Sequence, residues 1–212
     1  MKAFGQRLAF VLLVILVFSG NAFAASAPDI QARNICQIFT KHNPKLSEGS
    51  AKKYADIAIE AGKKYKQDPY VIAAIIVHES TVNYKAISKG GDYGLMQVRW
   101  KVHEKAIKKE YPKIRKAADF LDPKTNIFFG TRILSECAAK SNNLRGALLR
   151  YSGGGEKVTQ KVLNTVNQLY AMEKSSGKSG SNKPDTAEKT PAKKTPAKKK
   201  RSLLDRILGR NK

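Results

Sequence analysis

Apolar residues along this chain recur at helical intervals and almost never alternate. Ile35, Ile38 and Phe39 mark a first short helix, broken by Asn43-Pro44. A second begins near Ser50. It sets Tyr54, Ala58, Ala61 and Tyr65 at helical spacing and leaves Lys52, Lys53, Lys63 and Lys64 largely on other faces. Asp68-Pro69 supplies an N-cap followed by proline at the first helical position. The helix it opens runs from Val71 to Glu79 and is apolar nearly all round, which predicts a place at the centre of the fold. Asp122-Pro123 repeats that opening signal ahead of Ile127, Phe128, Gly130, Thr131, Ile133, Leu134 and Cys137. Leu144 to Tyr151 reads as a short helix, interrupted at Gly153-Gly154-Gly155. Val158, Val162, Val166, Leu169 and Tyr170 read as a last one. Strand signals are weak throughout. The pattern predicts one mainly α domain over 25–173.

The two ends have other compositions. Lys2 and Arg7 precede an unbroken apolar run from Leu8 to Phe18, and Ala22-Phe23-Ala24 follows. A charged start, a short apolar stretch and an A-x-A site make residues 1–24 a secretory signal peptide, cleaved near Ala24. The alternative, a membrane anchor, wants roughly 20 apolar residues. No Cys follows the site closely enough for lipid attachment. From Lys174 onward Ser, Gly, Lys, Pro and Thr dominate. Thr190-Pro191-Ala192-Lys193-Lys194 nearly repeats as Thr195-Pro196-Ala197-Lys198-Lys199. Residues 174–200 are therefore expected to be a disordered Lys/Pro-rich linker, too poor in apolar surface to offset the entropy of ordering. Residues 201–212 carry Leu203, Leu204, Ile207 and Leu208 among Arg201, Arg206 and Arg210, the pattern of a small basic amphipathic helix.

Charge narrows the partners. The 212 residues carry a formal net charge of +23, and residues 174–212 alone hold ten Lys and three Arg against two Asp and one Glu. No fold requires such an excess, so it speaks of nucleic acid, an anionic membrane surface or an acidic polymer. Export argues against nucleic acid. It favours cell-wall polymer and anionic lipids of the envelope, with the tail as tether. Export also permits a disulfide. Cys36 and Cys137 are the only two cysteines, so one intramolecular bridge is expected between them, with two free buried thiols as the alternative. Two cysteines so far apart do not make a metal site.

The candidate chemistry lies where the central apolar run ends. Glu79 sits at the C-terminal end of its helix, and a loop with Gly90, Gly91 and Gly94 follows. Burial and the negative end of the helix dipole both disfavour the ionised carboxyl, so its pKa should be raised, which suits a general acid. Three blocks surround it. The first is Glu79-Ser80, then Ala86, Ser88 and Gly91, ending in Gly94-Leu95-Met96-Gln97. The second is Leu121-Asp122-Pro123 with Asn126-Ile127, Gly130 and Leu134. The third is Ala147-Leu148 with Tyr151 and Gly153. In this order and spacing, over roughly 68–170, the chain resembles the soluble lytic transglycosylase catalytic domain, on the fold shared with goose-type lysozyme.

That resemblance implies a lysozyme-like helical domain with a substrate groove, acting on peptidoglycan glycan strands without cofactor or metal. Glu79 would protonate the oxygen between N-acetylmuramic acid and N-acetylglucosamine. It would then take a proton from the muramic acid C6 hydroxyl as that oxygen closes on the anomeric carbon, leaving a 1,6-anhydro sugar. One carboxyl would then suffice where most glycosidases use two. Tyr151 would hydrogen-bond and orient Glu79. Ser88, Met96 and Gln97 match groove-lining positions. Asn126 matches a position that either binds sugar or caps its helix.

Two departures stand out. Asp92 replaces a common Ala. It is either a solvated turn residue or, as in animal-type lysozymes, a second carboxylate that permits hydrolysis. Ser152 replaces an Asn after the tyrosine. In addition, Arg99 and Trp100 follow Gln97 where a Pro is common nearby, and Trp100 is a candidate stacking platform for a sugar ring. A zinc-protease reading of His78-Glu79 fails because Val82 stands where a second His is needed. Tyr151-Ser152-Gly153 lacks the glycine a nucleophile elbow needs before its serine. His78 is expected to be structural. The location implied is the periplasm or envelope of a bacterium. Partner proteins, from a secretion machine or the division apparatus, leave no signature.

Overall fold

The computed structural model describes residues 27–178. The signal-peptide reading of 1–24 lies outside the described residues, as do the linker beyond 178 and the amphipathic segment 201–212. Among the described residues, seven helices and one short hairpin form a single domain, mainly helical as the hydrophobic pattern predicts. In order they are α1 (Ala27–His42), α2 (Glu48–Tyr65), α3 (Pro69–Ser80), β1 (Asp92–Tyr93), β2 (Val98–Arg99), α4 (Trp100–Glu110), a 3-10 turn (Ala117–Leu121), α5 (Pro123–Ala139), α6 (Leu144–Tyr151) and α7 (Glu156–Lys178).

Helix α3 is the axis. Every residue from Tyr70 to Val77 is buried, and α1, α2 and α7 pack around it. Its start is fixed as the sequence indicates. Asp68 Oδ1 accepts from the Tyr70 amide at 2.8 Å, and Pro69 occupies the first turn. Asp68 also accepts from the Tyr170 hydroxyl, which ties α7 to the same end. At the other end Thr81 and Val82 both take left-handed backbone angles, φ 52° and 57°. The chain therefore leaves α3 abruptly just after Glu79. Helix α5 opens in the same way, with Asp122 Oδ1 accepting from the Thr125 amide and hydroxyl, both at 2.9 Å.

Three features depart from expectation. Helix α2 starts at Glu48, capped by Ser47, slightly before the position read from the sequence. Helix α7 runs to Lys178, past the change of composition at 174. Helix α4 was not foreseen, because Trp100 and Ile107 are its only buried residues and its N-cap, Arg99, makes no side-chain cap bond.

The expected Cys36–Cys137 bridge is corrected, since both are free thiols. Cys36 lies on α1 with Lys52 and Asp56 of α2 as its charged neighbours. Cys137 lies late in α5 near Glu136, Lys140 and Arg150. Their charged neighbours do not overlap, and a disulfide needs Cα atoms within about 7 Å.

Candidate active site

The segment after α3 folds into a small platform. Gly94 donates to the Ala86 carbonyl at 2.8 Å, and Ser88 N–H to the Asp92 carbonyl at 3.0 Å. β1 and β2 then pair antiparallel, placing Asp92 opposite Arg99 and Tyr93 opposite Val98. The turn between them, Gly94 to Gln97, is bolted to α5. Asn126, fully buried, accepts from the Met96 amide at 2.9 Å and donates to the Tyr93 carbonyl at 2.8 Å. Met96 is fully buried too, and its sulfur lies over Gly130, where an added Cβ would stand 2.6 Å away. Thus Gly94, Met96, Asn126 and Gly130, drawn from two of the three blocks, form one packing contact.

Above this contact lies a groove of about 320 Å³. Glu79 reaches it from the end of α3, Asp92, Gln97 and Arg99 from the hairpin, and His103 from α4. Ile133 of α5, Tyr151 to Gly153 at the end of α6, and Val158 of α7 complete the walls. Size does not distinguish it, because a groove along α1 and α2 is larger, at about 780 Å³. Chemistry does. Burial lifts the Glu79 carboxyl from its ordinary range to about 7, and the negative charge of Asp92 adds to the effect. Asp92 moves the other way, held low first by hydrogen bonds from Arg99 and then by Ser88. Arg99 Nε donates to Oδ1 at 2.6 Å and Nη2 to Oδ2 at 3.0 Å, while Ser88 Oγ donates to Oδ2 at 2.6 Å. Two carboxyls with opposed environments share one groove, and such a pair divides acid from anion.

A match to the transglycosylase SLT domain spans residues 56–172, more than half of the chain. The chain belongs to the transglycosylase SLT family. It is an enzyme of that class. It is also 29% identical over 183 residues to the membrane-bound lytic murein transglycosylase E of Buchnera aphidicola subsp. Acyrthosiphon pisum (strain APS), covering 83% of this chain and 75% of that protein. Among the described residues of this transglycosylase, no helix is long and apolar enough to cross a membrane.

Several residues expected in the groove are elsewhere. The expectation for Met96 is corrected: its side chain is core, and only its carbonyl serves the site, accepting from the Tyr151 hydroxyl at 2.8 Å. Tyr151 therefore gives its proton to Met96 rather than to Glu79, which corrects the expected Tyr151–Glu79 bond. Its oxygen keeps lone pairs that can accept. Burial, then the nearby Glu79 charge, pushes the phenol well above its ordinary range, so it stays protonated. Asn126 is wholly structural in its contacts. Trp100 is corrected as a stacking platform, being only 9% exposed and packed against Tyr93 and Phe120. Ser88 stands behind Asp92 rather than on the groove wall, and its oxygen also accepts from the Gly90 and Asp92 amides.

Gln97 does line the transglycosylase's groove, at a cost. Its φ of 46° is unusual for a residue with a side chain. Both amide protons hold the loop, donating to the Ala86 carbonyl at 3.1 Å and the Gly94 carbonyl at 2.9 Å. His78, next to Glu79, turns away, sharing a 2.8 Å hydrogen bond with Thr165. The sequence reading missed His103, Val98, Ile133 and Val158 as wall residues. His103 packs edge-on against Phe129 at 5.7 Å, and burial lowers its pKa, so it is neutral at pH 7. Nothing local in the sequence marks it, because the helix that carries it was not legible.

Proposed function

We propose that this transglycosylase cleaves the β-1,4 bond between N-acetylmuramic acid and N-acetylglucosamine in peptidoglycan, with Glu79 as acid and then as base. The observation that carries the proposal is Glu79 itself, a groove carboxyl whose burial keeps it protonated up to about pH 7. It donates to the glycosidic oxygen as the C–O bond breaks. The resulting carboxylate is costly in that environment, so it readily takes the C6 hydroxyl proton of the muramic acid. That oxygen closes on the anomeric carbon, giving the 1,6-anhydro sugar and restoring neutral Glu79. The murein activity in the relative's name agrees with this substrate. The alternative reading is a lysozyme-type hydrolase that uses Asp92 as a second carboxylate. It is disfavoured because Asp92 already accepts from Arg99 and Ser88.

Digestion of peptidoglycan in heavy-oxygen water tests the proposal. Ring closure within the sugar leaves the new glycan ends unlabelled. Label at the anomeric position of every new end would replace the proposal with hydrolysis.

Tyr151 orients the site through the loop. Tyr151→Phe removes the bond to the Met96 carbonyl, leaving that carbonyl without its partner. The expected result is a fall in kcat of about 10-fold, the size of a misplaced rather than missing acid, with KM little changed. Steady-state rates on soluble glycan fragments check it.

The exported location in the cell envelope and the tethering role of the basic tail belong to this proposal. The tail lies outside the described residues. Deleting residues 179–212 should reduce retention on isolated cell-wall sacculi and flatten its salt dependence, while turnover of soluble glycan persists. Unchanged retention would end the tether idea.

A further inference from the structure

Asp92 and Arg99 lie on the two strands of the hairpin, and the fold makes them one unit. The hairpin register sets them directly opposite, so their side chains share a face. The guanidinium fork takes both carboxylate oxygens, and Ser88 Oγ takes one of them again. A carboxylate offers about four acceptor sites, and three are used. Asp92's side chain is 19% exposed and Arg99's 53%, so the arginine covers the acid from the solvent side of the groove.

We propose that Arg99 is a positioning residue that decides the fate of the glycosyl intermediate: by clamping Asp92 it prevents that carboxylate from activating water, and so commits the reaction to ring closure. This rests on the transglycosylase reading above. The two outcomes differ in one step. In both, the glycosidic C–O bond breaks and its oxygen receives the Glu79 proton. In ring closure the muramic C6 oxygen bonds to the anomeric carbon and its proton returns to Glu79. In hydrolysis a water oxygen makes that bond, and a second carboxylate must accept the water's proton. Asp92 shares the groove with Glu79 and has the right charge for that task. A carboxylate neutralised by a bidentate arginine is a weak base with few free lone pairs. The carboxylate stays beside the site while its basicity is withdrawn.

The test is product composition, which a merely structural role would not move. The mature chain, Arg99→Met, Arg99→Lys and the double variant Asp92→Asn/Arg99→Met are each given peptidoglycan, and anhydro and reducing ends are counted by mass. Wild type should give anhydro ends. Arg99→Met should raise the share of reducing ends at least ~10-fold, a conservative fraction of the ~10²-fold or more that a general base supplies. Arg99→Lys, which keeps charge but loses the fork, should raise it less. The double variant should return to anhydro ends. A folded Arg99→Met protein with the wild-type ratio overturns the inference and leaves the transglycosylase reading standing, as does a gain that persists in the double variant. Should Arg99→Met fail to fold, an unchanged ratio in Arg99→Lys overturns it as well. Reducing ends from wild type, with the clamp intact, overturn both.

Discussion

Glu79→Gln is expected to lose about 10³-fold or more in activity on peptidoglycan, within the range for removal of a general acid. The amide fills the same space at the end of α3 but has no proton to give. The same change should make the fold more stable at high pH. In the unfolded chain the carboxyl titrates near its ordinary 4.5, and in the folded chain near 7. Below 4.5 both states hold the proton and the group makes no difference. Between 4.5 and about 7 the unfolded chain has released its proton while the folded chain still holds it, so stability is lost across that window and levels off above it. The loss is of order 3 kcal/mol for a shift of this size. Glu79→Gln should therefore melt well above wild type at pH 8 and level with it at pH 4. Wild-type activity should fall on the alkaline side of about pH 7, where the acid form disappears. Equal melting of the two proteins at both pH values would show that Glu79 is not strained in the groove.

The second large effect is mechanical. Gly94→Ala is expected to cost about 3 kcal/mol, from a strained backbone plus overpacking. Gly94 has φ 75°, and an added Cβ would stand 2.5 Å from Asn126 Nδ2. Relief of that contact has to move Asn126, which holds the Met96 amide and the Tyr93 carbonyl. Met96 in turn accepts from Tyr151. The platform that carries Asp92, Gln97 and Arg99 would then lose its seat on α5. The expected melting shift is a decrease of roughly 10 °C, with kcat falling alongside. A shift under about 2 °C would mean that the turn is not bolted as described.

Much of this was legible in the sequence because local signals and burial agreed. Asp68-Pro69 and Asp122-Pro123 cap α3 and α5 as read, and the unbroken apolar run of α3 is central. The raised pKa of Glu79 followed from that run ending on an acid. What failed is informative. Met96, Asn126 and Trp100 lie in or beside the family blocks, yet all three are buried. The blocks mark the packing between hairpin and α5 as much as the chemistry, and spacing alone does not separate the two. The Asp92–Arg99 pair was hidden because two-residue strands leave no periodicity, so nothing in the sequence set residue 92 opposite 99. Helix α4 was hidden because its buried stripe is Trp100 and Ile107, two residues a full heptad apart.

On the reading proposed above, Glu79 alone, with Asp92 restrained, turns glycan into anhydro ends. The most direct measurement is the mass of the muropeptides released from purified peptidoglycan by the protein and by Glu79→Gln. Products lighter by one water than reducing ends, absent with the variant, are the expected result. Reducing ends from the wild type, or anhydro ends that survive loss of Glu79, would contradict it.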